Sequence, residues 1–162
     1  ATLRRQRQMC IRDRLRAAVN HWGLQDGNMA HLSFEYSANL EPELDLQAFC
    51  DLMRDVMRDS GVFPLGGIRV RGTRVDVCAV ASGEPEIAFI DMTVRMGQGR
   101  DEATRAEVTE TLYSAAEDWL RPRIGETPFA LSLEIMEIDA RFAEKRFNSL
   151  HAFLKARDVS GG

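Results

Sequence analysis

The sequence predicts an α+β domain in which a duplicated β-α-β unit builds one four-stranded sheet with two helices on one face. Three observations carry this expectation. The 162 residues, 44% apolar and 28% charged, suffice for one domain with its own core. Strand-like alternation and helix-like spacing then succeed one another twice as strand, helix, strand: about 30–37, 45–60 and 68–81, then 86–96, 101–121 and 129–138. Each half runs for about 50 residues, long enough for a right-handed crossover between parallel strands.

The elements follow in order. AHLSFEYS (Ala30 to Ser37) alternates, with Leu32, Phe34 and Tyr36 on one side and His31, Ser33 and Glu35 on the other. After the turn-rich SANLEPELD, the residues Leu46, Phe49, Cys50, Met53, Val56 and Met57 recur at helical spacing until Ser60 and Gly61 end the run. GVFPLGG is a loop, and IRVRGTRVDVCAVA (Ile68 to Ala81) reads as a strand with a kink or bulge at Gly72 and Thr73. A turn at Ser82 to Pro85 leads into the β-rich EIAFIDMTVRM. The next helix carries Val108, Leu112, Ala115, Ala116, Trp119 and Leu120, and Pro122 and Gly125 are expected to stop it. FALSLEIMEID alternates once more, and the tail from Ala140 to Gly162 is polar with scattered Phe142, Phe147, Leu150, Phe153 and Leu154. The sheet face away from the helices is expected to be apolar and uncovered, finding its cover in neighbouring subunits of a homo-oligomer.

The formal charge of −4 hides two unlike pieces. Residues 1–28 hold six arginines and two acids, a balance of +4, and the remainder from Met29 onward carries −8. The head 1–28 is expected to be a basic extension foreign to the working domain at 29–162. A presequence or a nucleic-acid arm are the functional alternatives. The acidic body, without basic and aromatic residues interleaved on its strands, argues against nucleic acid as a partner. No apolar run approaches the roughly 18 residues of a spanning helix, so no membrane association is expected. Three scattered cysteines, Cys10, Cys50 and Cys78, suggest a reducing, cytoplasmic compartment.

Familiar catalytic motifs are absent: no G-x-S-x-G, no phosphate-binding loop, no H-E-x-x-H and no C-x-x-C. The glycines Gly97 and Gly99 lack the third glycine of a dinucleotide site, and His21, His31 and His151 have no metal spacing, so neither cofactor nor metal is expected. What remains is a set of arginines at strand and loop ends: Arg69, Arg71, Arg74, Arg95 and Arg100. The planar fork of arginine suits bidentate recognition of carboxylates, so they can form an anion pocket. The plainer alternative, strongest for Arg71, Arg74 and Arg95, is pairing with surface acids.

These segments carry a resemblance. MAHLSFEYSANLEPELDLQAF, SGVFPLGGIRVRG, FIDMTVRMGQGRDEATR, FALSLEIMEID and FNSLHAFLK resemble, in order and spacing, the 5-carboxymethyl-2-hydroxymuconate isomerase family of the tautomerase superfamily. The resemblance implies a tautomerase-like homotrimer that isomerises a small polycarboxylate of aromatic-compound catabolism without a cofactor. It also implies that removal of the start methionine exposes an amino-terminal proline as general base. An α-amine has a pKa near 7.7–8.0, and burial beside arginines brings it towards neutrality or below. By position, Arg69 and Arg100 match the family's arginines, which bind carboxylates and stabilise charge developing on oxygen. Arg71 is a further candidate for the same pocket, and Phe63 is either an apolar wall of it or ordinary core.

This chain departs at the base itself. The family's Met-Pro-His is here Met29, Ala30 and His31. A chain starting at Met29 and losing it would present a primary amine on Ala30; with the head attached, that nitrogen is an amide without basicity. His31 is a conceivable substitute base, although a solvated or paired strand histidine is the simpler reading.

Overall fold

The computed structural model describes residues 29–160; the basic head, with Cys10 and His21, lies outside the described residues. Four strands, β1 (Ala30–Ser37), β2 (Ile68–Val75), β3 (Ala88–Gly97) and β4 (Phe129–Ile138), form one sheet in the order β2-β1-β3-β4. β1 pairs with β2 in parallel, β3 with β4 in parallel, and β1 with β3 antiparallel. The two β-α-β halves therefore lie side by side, head to tail.

Two helices fill the crossovers. In α1 (Leu46–Ser60) the Asp45 carboxylate accepts from the Ala48 amide at 3.0 Å, and Gly61 closes the helix at φ 70°, a left-handed turn that glycine adopts without steric cost. Phe49, Met53 and Met57, four residues apart, give α1 one buried stripe. α2 (Glu102–Ile124) is capped by Asp101, which accepts from Thr104 N at 2.8 Å, and buries Val108, Leu112, Ala116 and Leu120. These stripes meet the Ala30, Leu32, Phe34 and Tyr36 side of β1 and the Ala88, Ile90, Met92, Val94 and Met96 side of β3 in one apolar core. At its centre the Phe34 and Phe49 rings lie 5.1 Å apart and nearly perpendicular.

Five details differ from the sequence expectations. β2 stops at Val75 instead of Ala81, because its partner β1 ends at Ser37, opposite Val75, and the chain then coils into a 3-10 turn at Ala38–Leu40. Among the described residues, β1 offers no strand partner to residues 76–81. The register through Gly72 is one to one, without a bulge; Gly72 instead faces the Phe34 ring so closely that a Cβ there would lie 2.5 Å from Cζ. Pro122 sits inside the last turn of α2, where it forfeits only its own amide bond, and Gly125 marks the end. The tail holds a further helix, α3 (Leu150–Ser160), whose His151 ring lies against Gly66.

The fifth difference bears on function. The uncovered sheet face is polar through its middle: three successive rows read Arg69, His31, Arg95 and Met136; Arg71, Ser33, Thr93 and Glu134; then Thr73, Glu35, Asp91 and Ser132, and further apolar residues (Val75, Phe89, Ala130 and Ile138) stand at its two ends. Side chains alternate across a strand, so committing the apolar set of each strand to the helices sends its charged set to the other face.

Candidate active site

Ala30 opens β1 and is fully buried, paired with Ile68 on one side and Met96 on the other. Just ahead of it, the Met29 carbonyl accepts from Gly97 N at 3.2 Å. Gly97 also receives Arg100: Nη1 donates to the Gly97 carbonyl at 2.9 Å while Nη2 donates to the Val62 carbonyl at 3.0 Å. One guanidinium thus ties the loop after β3 to the loop after α1, beside the start of β1. Its carbon lies 5.8 Å from the centre of the Phe63 ring. Phe63 is 5% exposed and belongs to the core, as the plainer of its two readings expects. Burial lowers the Arg100 pKa and Glu137 opposes that shift; a guanidinium nonetheless stays charged. Glu137, at the end of β4, also pairs with Arg105 of α2 at 2.9 Å.

A second group stands on the open face. His31 is flanked in register by Arg69 on β2 and Arg95 on β3, with Arg71 one row further along. Arg69 Nη1 lies 2.9 Å from His31 Nε2. Burial lowers the His31 pKa below its ordinary 6.5, and the charges of Arg69, Arg71 and Arg95 lower it further. Among the described residues, no carboxylate ion-pairs with Arg69, Arg71 or Arg95. Arg74 behaves differently: it pairs with Glu41 and, at 2.8 Å, with Asp76. The surface-pair alternative therefore holds for Arg74 and fails for Arg71 and Arg95.

Ala30, Phe63 and Arg100 are brought together on the helix side of the sheet end, and Arg69 and Arg71 on the open side, meeting along the Ala30–His31 step. The sequence set Arg95 among the candidate arginines but did not place it beside His31, because that adjacency comes from the β1–β3 register and not from alternation within one strand. A groove of about 330 Å³ at the opposite end of β1 is lined by Asp76 and Glu84 and by no basic residue, so it does not suit an anion. Among the described residues no cluster of three or more His, Cys, Asp or Glu side chains can hold a metal ion. No helix there is long and apolar enough to cross a membrane.

The duplicated β-α-β sheet, in the order β2-β1-β3-β4, is the fold of the tautomerases. The family model for 5-carboxymethyl-2-hydroxymuconate isomerase matches residues 30–154, and the chain belongs to that family. It is 32% identical over 127 residues to the 5-carboxymethyl-2-hydroxymuconate Delta-isomerase of Escherichia coli, covering 78% of this chain and all of that relative. A crystal structure of a 5-carboxymethyl-2-hydroxymuconate isomerase from Deinococcus radiodurans R1 superposes with a TM-score of 0.72 at 32% identity, covering 78% of this chain and 95% of the other. Another, of a 5-carboxymethyl-2-hydroxymuconate delta-isomerase, gives 0.71 at 31% identity, covering 78% and 93%.

Proposed function

We propose that the working chain begins at Ala30, after loss of Met29, and is a cofactor-independent isomerase of a small polycarboxylate in aromatic-compound catabolism, of the 5-carboxymethyl-2-hydroxymuconate type. The Ala30 amine removes a proton from one carbon of a carboxylated oxo-enoate, or from the 2-hydroxyl of its dienol form. Negative charge spreads onto the 2-oxo oxygen, where arginine stabilises it, and the proton returns to another carbon. Arg69 and Arg100 bind carboxylate and stabilise that charge, Arg71 extends the pocket, and Phe63 backs Arg100. The observation that carries this reading is the set of cationic side chains, three of them without carboxylate partners among the described residues, around the first residue of β1. In this reading residues 1–28 are not part of the enzyme.

Ala30 itself favours a second reading, a catalytically impaired homologue that binds small organic acids. A primary amine lacks the ring that fixes the approach of proline. The two readings separate when the chain from Ala30 and its Ala30→Pro variant are followed by ultraviolet absorbance on 2-hydroxymuconate-type substrates. Turnover by both supports the isomerase, turnover by the proline form alone supports the impaired homologue, and turnover by neither removes the isomerase reading.

Assembly as a homotrimer belongs to the same proposal. Phe142 is 83% exposed, Phe153 is 56% exposed and Phe147 is fully exposed, an apolar display that a neighbouring subunit would cover. The free thiols Cys50 and Cys78 accord with a cytoplasmic site of action.

A further inference from the structure

We propose that His31 is a positioning residue for Arg69: the unprotonated Nε2 of its ring accepts a hydrogen bond from Arg69 Nη1 and fixes the guanidinium beside Ala30 for a carboxylate ligand. The role assigned to Arg69 rests on the isomerase reading above; the histidine–arginine contact does not.

The contact has one possible polarity. A guanidinium only donates, so at 2.9 Å His31 Nε2 must be the acceptor, and the proton of a neutral ring then sits on Nδ1. The surroundings keep the ring neutral: Arg69 and Arg71 face it from β2 and Arg95 from β3, while Met136 completes the row on β4. The acids of this face, Glu35 and Asp91, are paired with each other in register two rows away, and Glu134 lies on β4 beyond Thr93. Burial and the three arginine charges act in the same direction on the imidazole.

The choice of acceptor has a chemical consequence. A carboxylate in this position would orient Arg69 equally well but would cancel its charge and compete with an acidic ligand for the same donors. A neutral imidazole orients one N–H and leaves the positive charge and the remaining donors available. Protonation of His31 removes the acceptor and adds a repelling charge, so Arg69 is released in acid.

The test uses the full chain, labelled with ¹⁵N in histidine, with the His31 signals assigned by their absence from His31→Gln. The expected result at pH 7 is an Nδ1–H tautomer with unprotonated Nε2, titrating with a midpoint below 6.5. Arg69→Met should move that midpoint upward and alter the tautomer balance. An Nε2–H tautomer at neutral pH, or His31 signals indifferent to Arg69→Met, overturns the proposal. In the chain from Ala30, muconate serves as the dicarboxylate probe. His31→Phe should weaken its binding about fivefold, the factor expected for losing one hydrogen bond, and His31→Gln, which retains an acceptor, should restore it to within about twofold. Equal loss in both variants, with circular dichroism unchanged, also overturns it. The expected histidine signature in the full chain, together with no turnover by either the chain from Ala30 or its Ala30→Pro variant, refutes the isomerase reading while leaving the histidine–arginine pair established.

Discussion

Replacing Arg100 with Met separates a tie from a decoration. The substitution keeps a long apolar side chain over Phe63 but deletes the 2.9 Å bond to the Gly97 carbonyl and the 3.0 Å bond to the Val62 carbonyl. Bonds from charged donors are worth about 1.5–3 kcal/mol when buried; both carbonyls belong to partly exposed residues that water can reach, so about 1 kcal/mol each is the appropriate scale. The lost cation–ring contact adds about 0.5 kcal/mol, and relief of guanidinium desolvation offsets a similar amount. A net loss near 2 kcal/mol corresponds to a fall in melting temperature of about 6–10 °C for a domain of this size. The assay is paired: thermal unfolding by circular dichroism and muconate binding by calorimetry on the same preparation, with Arg100→Lys alongside. Lysine should recover part of the binding through its charge but not the stability, since a single ammonium cannot span both carbonyls. An Arg100→Met protein that melts at the wild-type temperature and binds with unchanged affinity refutes the reasoning.

Gly72→Ala should destabilise by about 1–2 kcal/mol net in urea denaturation: overpacking the Phe34 ring exceeds the smaller gain from a stiffer unfolded chain, and unchanged or raised stability would contradict this. His31 should give stability a pH slope. Its folded pKa is depressed, so its contribution is present above 6.5 and is lost as pH falls through the folded midpoint, because the unfolded chain takes the proton first. Melting temperatures between about pH 5 and 7.5 should show this slope flattened in His31→Gln, whereas an identical slope would count against it. Phe147→Ser combined with Phe153→Ser should lower the sedimentation-derived mass at micromolar concentration; an unaltered mass would separate these side chains from assembly.

Much of the fold was legible because its elements carry clean periods. β1, β3 and β4 alternate without interruption, and both helices repeat their apolar residues near every fourth position, so the two crossovers and the four-stranded sheet followed from chain logic, whereas the strand order did not. What escaped had a non-local cause. The end of β2 is decided by the end of β1, and Gly72 is explained by a ring on the adjacent strand; neither fact lies within the segment concerned. The helix at Leu150–Ser160 has no strong apolar stripe to announce it. The open face was misjudged by following only the apolar half of each alternation. The family resemblance named Arg69 and Arg100 as site candidates, and it did not reveal their surroundings. The pairing of Arg69 with His31, and the lack of ion pairs at Arg71 and Arg95 among the described residues, depend on strand register, whereas Arg74 meets one acid partner, Asp76, two residues on and the other, Glu41, in a turn distant in sequence.

The proposed isomerase depends on the nitrogen of Ala30, freed as an amine beside these arginines, acting as the base. Its most direct measurement compares turnover of a 2-hydroxymuconate-type substrate by two preparations verified by intact mass: the chain beginning at Ala30 and the full 162-residue chain. The free-amine form should isomerise the substrate with a rate that falls in acid as the amine protonates, and the full chain, with an amide at that position, should show no turnover above background. Equal turnover by both preparations would contradict the claim.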